Sequence, residues 1–182
     1  RKPAWRPITT PTYTPGSATA STYTLVLGNT GTTTESSASV NTNFPGGGSI
    51  SWSCGSATGG ATCPAGGGSS GTGNLSNKDP GSLPQNGTVT YTFSVTFASS
   101  LTTAPLVVTA SMNDSETGTD DDTDTDTVSS TRSPSSDWGV SFPGTPTAYI
   151  PGSSGAANNL SLTVTNHGPT DGSATLSLPV PT

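Results

Sequence analysis

Residues 88–97, TVTYTFSVTF, alternate without a break: Val89, Tyr91, Phe93, Val95 and Phe97 on one face, threonine or serine on the other. Strict period-two alternation predicts a strand with one buried and one wet face. Threonine suits the wet face because its branched Cβ fits the pleat and its hydroxyl fits water. Shorter runs predict further strands at 21–28 (STYTLVLG), 37–44, 49–54 and 104–112, with a weaker one at 123–130. Turn signals separate them: Pro15-Gly16, Asn29-Thr30-Gly31, Pro45-Gly46-Gly47, Pro80-Gly81 and Asn86-Gly87. No stretch carries a helical apolar stripe of useful length. The expected fold is all-β, an immunoglobulin-like β-sandwich.

The pattern then repeats. Residues 11–31, PTYTPGSATASTYTLVLGNTG, return as residues 146–168, PTAYIPGSSGAANNLSLTVTNHG. Pro15-Gly16 matches Pro151-Gly152. Tyr23, Leu25 and Leu27 match Leu160, Leu162 and Val164, and Asn29-Thr30-Gly31 matches Asn166-His167-Gly168. Trp5 and Trp138 occupy comparable places ahead of the two copies. The expected organisation is a Pro-rich arm (1–10), one complete sandwich (11–131), a linker (132–137) and an incomplete second copy (138–182).

Composition narrows the classes. Only 28% of residues are hydrophobic and 9% charged, while serine and threonine make up about a third, so the core is thin and the surface is hydroxyl-covered. The net charge of −6, with five lysines and arginines, argues against nucleic acid as a partner. No run approaches the roughly 18 apolar residues of a membrane span, so no membrane insertion is expected. Cys54 and Cys63, in WSCGSATGGATC, sit in a glycine-rich turn and predict a local disulfide across a hairpin or loop. It closes a ten-residue ring worth roughly 2.5–3 kcal/mol, and it implies an oxidising, extracellular setting. Two thiols and one distant histidine, His167, cannot supply four zinc ligands.

Several motifs in this order resemble the bacterial conserved-repeat β-domain called "domain of unknown function eleven". They are Thr165-Asn166-His167-Gly168-Pro169 (TNxGP), Trp52-Ser53-Cys54 followed by Cys63, and the strand opening Leu83-Pro84-Gln85-Asn86-Gly87-Thr88-Val89-Thr90-Tyr91-Thr92-Phe93. The polar close is Asn113-Asp114-Ser115 followed by Thr123-Asp124-Thr125-Asp126-Thr127-Val128. The match covers roughly residues 10–131 as a full repeat and 138–182 as a partial one. Asn29-Thr30-Gly31-Thr32 departs from it by lacking the proline. The resemblance implies an extracellular structural or adhesive repeat with an immunoglobulin-like sandwich and no catalytic residues.

The residues that invite chemistry are few. Asp120, Asp122, Asp124 and Asp126 alternate, so on a strand their carboxylates share one face about 7 Å apart, an arrangement open to calcium. The run lacks the glycine and distal glutamate of an EF-hand loop, and a solvated polar edge strand or interdomain linker is the preferred account, with calcium the alternative. No other cofactor is expected. No G-x-S-x-G elbow precedes a helix, and almost all the acids lie in one run, so neither a serine-hydrolase nor a glycosidase site is expected and the chain does not read as an enzyme. Trp52 and Tyr91 are expected in the core. Sequons at Asn74, Asn86, Asn113 and Asn159 leave room for glycan on the hydroxyl surface, and surface glycans are a further candidate partner.

A partial copy of this size buries too little surface to fold alone and leaves an apolar face lined by Leu160, Leu162, Val164, Leu176 and Leu178. The leading expectation is therefore an extracellular structural subunit of a bacterial surface fibre. Copies would join head to tail by β-strand complementation of the second module, a heterologous contact that propagates. The N-terminal arm offers Trp5 and Ile8 as anchors, although Pro3, Pro7 and Pro11 favour a polyproline-like arm over a laddered strand. The alternatives are an adhesin or carbohydrate-binding module and a passive spacer in a longer surface array.

Overall fold

The unbroken alternation of residues 88–97 becomes β7 (Thr88–Phe97), the middle strand of a five-stranded sheet, and its five apolar side chains are all buried. Each contributes roughly 1.5–3 kcal/mol by leaving water. The computed structural model describes residues 11–113, 123–142 and 161–177, with the backbone alone for residues 2–5 and Thr123. Sheet one runs β1 (Lys2–Trp5), β3 (Ser21–Gly28), β7, β5 (Gly47–Thr58), β6 (Ser70–Thr72). Sheet two runs β2 (Thr12–Tyr13), β9 (Thr123–Arg132), β8 (Leu106–Asn113), β4 (Ser39–Asn43). Strand order β1-β3-β7-β5 facing β4-β8-β9, with β2 parallel to β9, is the ABED and CFG arrangement of the immunoglobulin sandwich.

The core lies between Tyr23, Leu25 and Leu27 with β7 on one side, and Leu106, Val108, Ala110 and Met112 of β8 on the other. Phe44 bridges the layers, its ring 5.1 Å from Tyr23 and 5.0 Å from Phe93. The Tyr23 and Ser130 hydroxyls, both buried, hydrogen-bond across the sandwich at 2.9 Å. Cys54 and Cys63 form the expected disulfide. It pins the end of β5 to the glycine-rich segment that returns over Trp52. There a Cβ on Gly71 would lie 2.6 Å from the indole, and Lys78 Nζ sits 5.3 Å from the ring centroid.

The N-terminal arm departs from the sequence reading. Lys2–Trp5 is a laddered strand, antiparallel to β3 with Lys2 opposite Gly28 and Trp5 opposite Leu25. Pro3 is tolerated because β1 is an edge strand, where one face of the backbone needs no ladder partner. One edge of the sandwich, that of β4, is covered. Residues 75–83 run along the free edge of β4, with Val40 and Lys78 exchanging backbone bonds at 2.8 and 3.0 Å and Thr42 N–H donating to Leu75 O. Such cover removes a template for side-by-side pairing.

The second copy appears as a hairpin-like pair, β10 (Trp138–Ser141) antiparallel to β11 (Thr163–Asn166). It repeats the pairing of β1 with β3, in a different register. Trp138 lies opposite Asn166, whereas Trp5 lies opposite Leu25, four residues before the matching Asn29. The two tryptophans are therefore not register equivalents.

Candidate docking interface between the two units

The turn that follows β11 repeats two side-chain bonds of the turn that follows β3. Asn29 Oδ1 accepts from Gly31 N–H at 2.8 Å, and Asn29 Nδ2 donates to Thr33 O at 2.6 Å. Asn166 Oδ1 accepts from Gly168 N–H at 3.0 Å, and Asn166 Nδ2 donates to Thr170 O at 2.9 Å. Asparagine suits this position because one side chain supplies both an acceptor and a donor. In the first unit Asn29 Nδ2 also donates to Leu83 O at 2.8 Å, tying the turn to the segment that leads into β7.

The second turn is docked on the first unit. Thr170 is 1% exposed, and its Oγ1 donates to Pro15 O at 2.7 Å. Asp171 N–H donates to Ser99 O at 3.1 Å. Gly16 makes the close approach possible: its φ is +77°, and a Cβ there would lie 1.7 Å from Pro169 O. The receiving end is stiffened from below by Gly16 N–H donating to Phe97 O, by Arg132 Nε donating to Leu101 O at 2.9 Å, and by Tyr13 OH donating to Thr103 O. Burial raises the Tyr13 phenol pKa, an effect the nearby Arg132 charge opposes.

Residues 133–137 connect the units without slack. Ser133 N–H donates to Tyr13 O on the first unit. Ser135 N–H donates to Thr170 Oγ1 at 3.0 Å, and Thr170 N–H donates back to Ser135 O at 2.9 Å. Asp137 N–H donates to Asn166 Oδ1 at 3.1 Å, and His167 N–H donates to Asp137 O at 2.6 Å. The Thr170 hydroxyl is thus used both as donor and as acceptor. His167, exposed as expected of a turn residue, belongs to this joint through its backbone.

The expected site residues scatter. Leu162 is half-buried, Val164 is 43% exposed and Leu176 is 51% exposed, while Ile8, Leu160 and Leu178 lie outside the described residues. Of Trp5 only the backbone is described, in β1. Val140 and Phe142, 56% and 54% exposed, add to the apolar surface of the second unit. Their alternation with Trp138 was the available signal. Asp120 and Asp122 also lie outside the described residues. Asp124 and Asp126 share the inward face of β9 with Val128 and Ser130, opposite Met112 and Ala110. No group of three or more metal-capable side chains occurs among the described residues. Trp52 and Tyr91 are buried in the core, and burial pushes the Tyr91 phenol up to about 12. A shallow groove of about 350 Å³ beside the Pro15-Gly16 turn is lined by hydroxyls, among them Thr12, Thr14, Ser17 and Thr19. No helix among the described residues is long and apolar enough to cross a membrane.

No family model and no curated protein matches the chain. Among solved structures it is similar to the one reported as "AvmM Catalyzes Macrocyclization in Alchivemycin A Biosynthesis", at 13% identity and a TM-score of 0.46 over 73% of this chain and 89% of that one. At that distance the likeness bears on neither activity nor partner.

Proposed function

We propose that this protein is an extracellular structural subunit of a bacterial surface fibre, built from immunoglobulin-like units stacked end to end. The observation that carries the reading is the joint, in which the buried Thr170 hydroxyl donates to Pro15 O, Asp171 N–H donates to Ser99 O, and the linker bonds to both units. Chain direction agrees with it. The chain enters the first sandwich at the end where Lys2 faces Gly28 and leaves it at the opposite end, where Arg132 runs beside Tyr13. Added units therefore extend the long axis. The disulfide fits an oxidising setting, and the TNxGP and W-[ST]-C motifs supply the bacterial-surface context.

Successive subunits join by strand addition to the second unit. In the first unit β3 is laddered on both edges, by β1 and β7, whereas among the described residues β11 is laddered only by β10. A strand from the next copy takes the position that β7 takes in the first unit. Negative-stain microscopy of the purified chain is the test. Fibres are expected from the full chain, and dispersed particles after removal of residues 138–182. Monodisperse full-length protein, or fibres that persist without those residues, would overturn the reading.

A further inference from the structure

Asn29 is 1% exposed, and the segment entering β7 closes over it. Its side-chain Nδ2 donates to Leu83 O at 2.8 Å, its backbone N–H donates to Gly87 O at 3.1 Å, and its carbonyl accepts from Asn86 N–H at 2.7 Å. A tight turn presents those three groups together: Gly87 N–H donates to Pro84 O at 2.8 Å, and Asn86 has a φ of +60°. Asn166 holds the matching place in the second unit, with the same two bonds to its own turn, but it is only half-buried. We propose that Asn166 is the recognition residue of the open β11 edge. The strand it admits belongs to another chain, alternates in apolar residues, and opens with a tight turn of the Pro84–Gly87 kind.

Three observations support that partner. First, the side-chain donor is half used. Asn29 Nδ2 donates to both Thr33 O and Leu83 O, whereas among the described residues Asn166 Nδ2 donates only to Thr170 O. Second, the backbone faces the right way. His167 N–H donates to Asp137 O, on the β10 side. In an antiparallel ladder Asn166 and Val164 therefore turn their N–H and C=O groups to the opposite edge. Third, the side chains await the same register. In the first unit Leu27 lies opposite Val89 and Leu25 opposite Tyr91. Their counterparts are Val164, 43% exposed, and Leu162, half-buried, which a strand repeating that alternation covers. The edge is also continuous with the joint, because Asn166 holds the turn whose Thr170 is seated on Pro15. An incoming strand thus locks at one end on a group that is already fixed, and this sets its register against a one-residue slip.

The inference rests on the strand-addition reading, and its test is separate from the search for fibres. Two acetylated peptides with this chain's own sequence serve as probes, residues 84–92 and residues 85–92. The acetyl carbonyl of the longer peptide stands for Leu83 O, and that of the shorter one stands for Pro84 O, so both keep the turn and one lacks the acceptor for Asn166. Each is titrated into the full chain, below any concentration at which fibres appear. Nuclear magnetic resonance follows the backbone N–H of Val164 and the Nδ2 hydrogens of Asn166. The longer peptide is expected to move both sets of signals and to bind about tenfold tighter than the shorter, the equivalent of one hydrogen bond. The shorter peptide should move Val164 alone. Equal affinities, or Asn166 Nδ2 signals that do not respond to the longer peptide, overturn the role of Asn166 and leave strand addition standing. No response of Val164 to either peptide overturns the proposed partner. A chain that forms no fibres yet binds the longer peptide as described overturns the fibre and keeps the site.

Discussion

Thr33 and Thr170 hold the same place in matching turns, each carbonyl accepting from an asparagine Nδ2 four residues earlier, yet one is exposed and the other almost wholly buried. The difference lies in what each turn meets, so residue identity alone does not mark an interface. Buried polar side chains elsewhere have a different consequence. Tyr91 is fully buried, and burial favours its neutral, protonated form, which raises its pKa to about 12 from an ordinary 10. In the unfolded chain the same phenol loses its proton near 10. Tyr91 therefore stabilises the fold fully below pH 10, and that contribution is lost as pH rises from 10 through 12, where the unfolded state binds fewer protons. Tyr23 and Tyr13 are shifted in the same direction, also by burial. The urea midpoint of the full chain should fall steeply across this window. In Tyr91→Phe it should fall less steeply, the remainder coming from Tyr23 and Tyr13. An equal slope in both proteins would show that Tyr91 does not titrate with folding.

At the scale of elements, the disulfide lies where the sheet is least secured by side chains. The last residues of β5, Gly55–Thr58, are all exposed, and the segment after them is glycine-rich. The ladder to β7 shifts register between Cys54 and Ser56. Closing the ring from Cys54 to Cys63 restricts that segment in the unfolded chain, worth roughly 2.5–3 kcal/mol. Replacing both cysteines by serine should lower the free energy of unfolding by about that amount, read from urea melts in the absence of reductant. A loss under about 0.5 kcal/mol would mean that the loop is ordered without the ring. Legibility varied by element for physical reasons. β3 and β7 were read to the residue because their alternation is complete. β9 was read weakly because aspartate and threonine give no apolar signal; it is held by its ladder to β8, and its inward Asp124 and Asp126 border a stretch that β2 does not cover. β1 was misread because proline argues against a ladder except at an edge, and sequence does not reveal edges. β2 and β6 are too short for any period. The joint was legible only as a repeated Pro-Gly and a repeated Asn-x-Gly; that one docks on the other depends on backbone groups, which every residue carries, and on one threonine hydroxyl in a chain where about a third of residues are serine or threonine.

For the whole molecule the decisive property is whether the two units move as one. The joint is held by Thr170, the clamped linker and the fit of Pro169 against Gly16. Such a contact is sensitive to shape. Gly16→Val places a Cβ where Pro169 O now sits and puts a β-branched residue at a φ of +77°. The backbone strain alone costs about 1–2 kcal/mol, and the overlap is relieved only by moving the second unit away. Amide exchange gives a residue-level reading of that movement, since the N–H groups of Thr170 and Asp171 are bonded across the joint and its linker. In the unaltered chain both should be protected, and small-angle scattering should fit one extended particle. In Gly16→Val both amides should lose protection and the distance distribution should broaden. The amides of β7, in the centre of the first sandwich, should stay protected and so report that this unit remains folded. If Thr170 and Asp171 stay as protected in Gly16→Val as in the unaltered chain, the units are held by contacts other than this joint, and the end-to-end rod loses its physical basis.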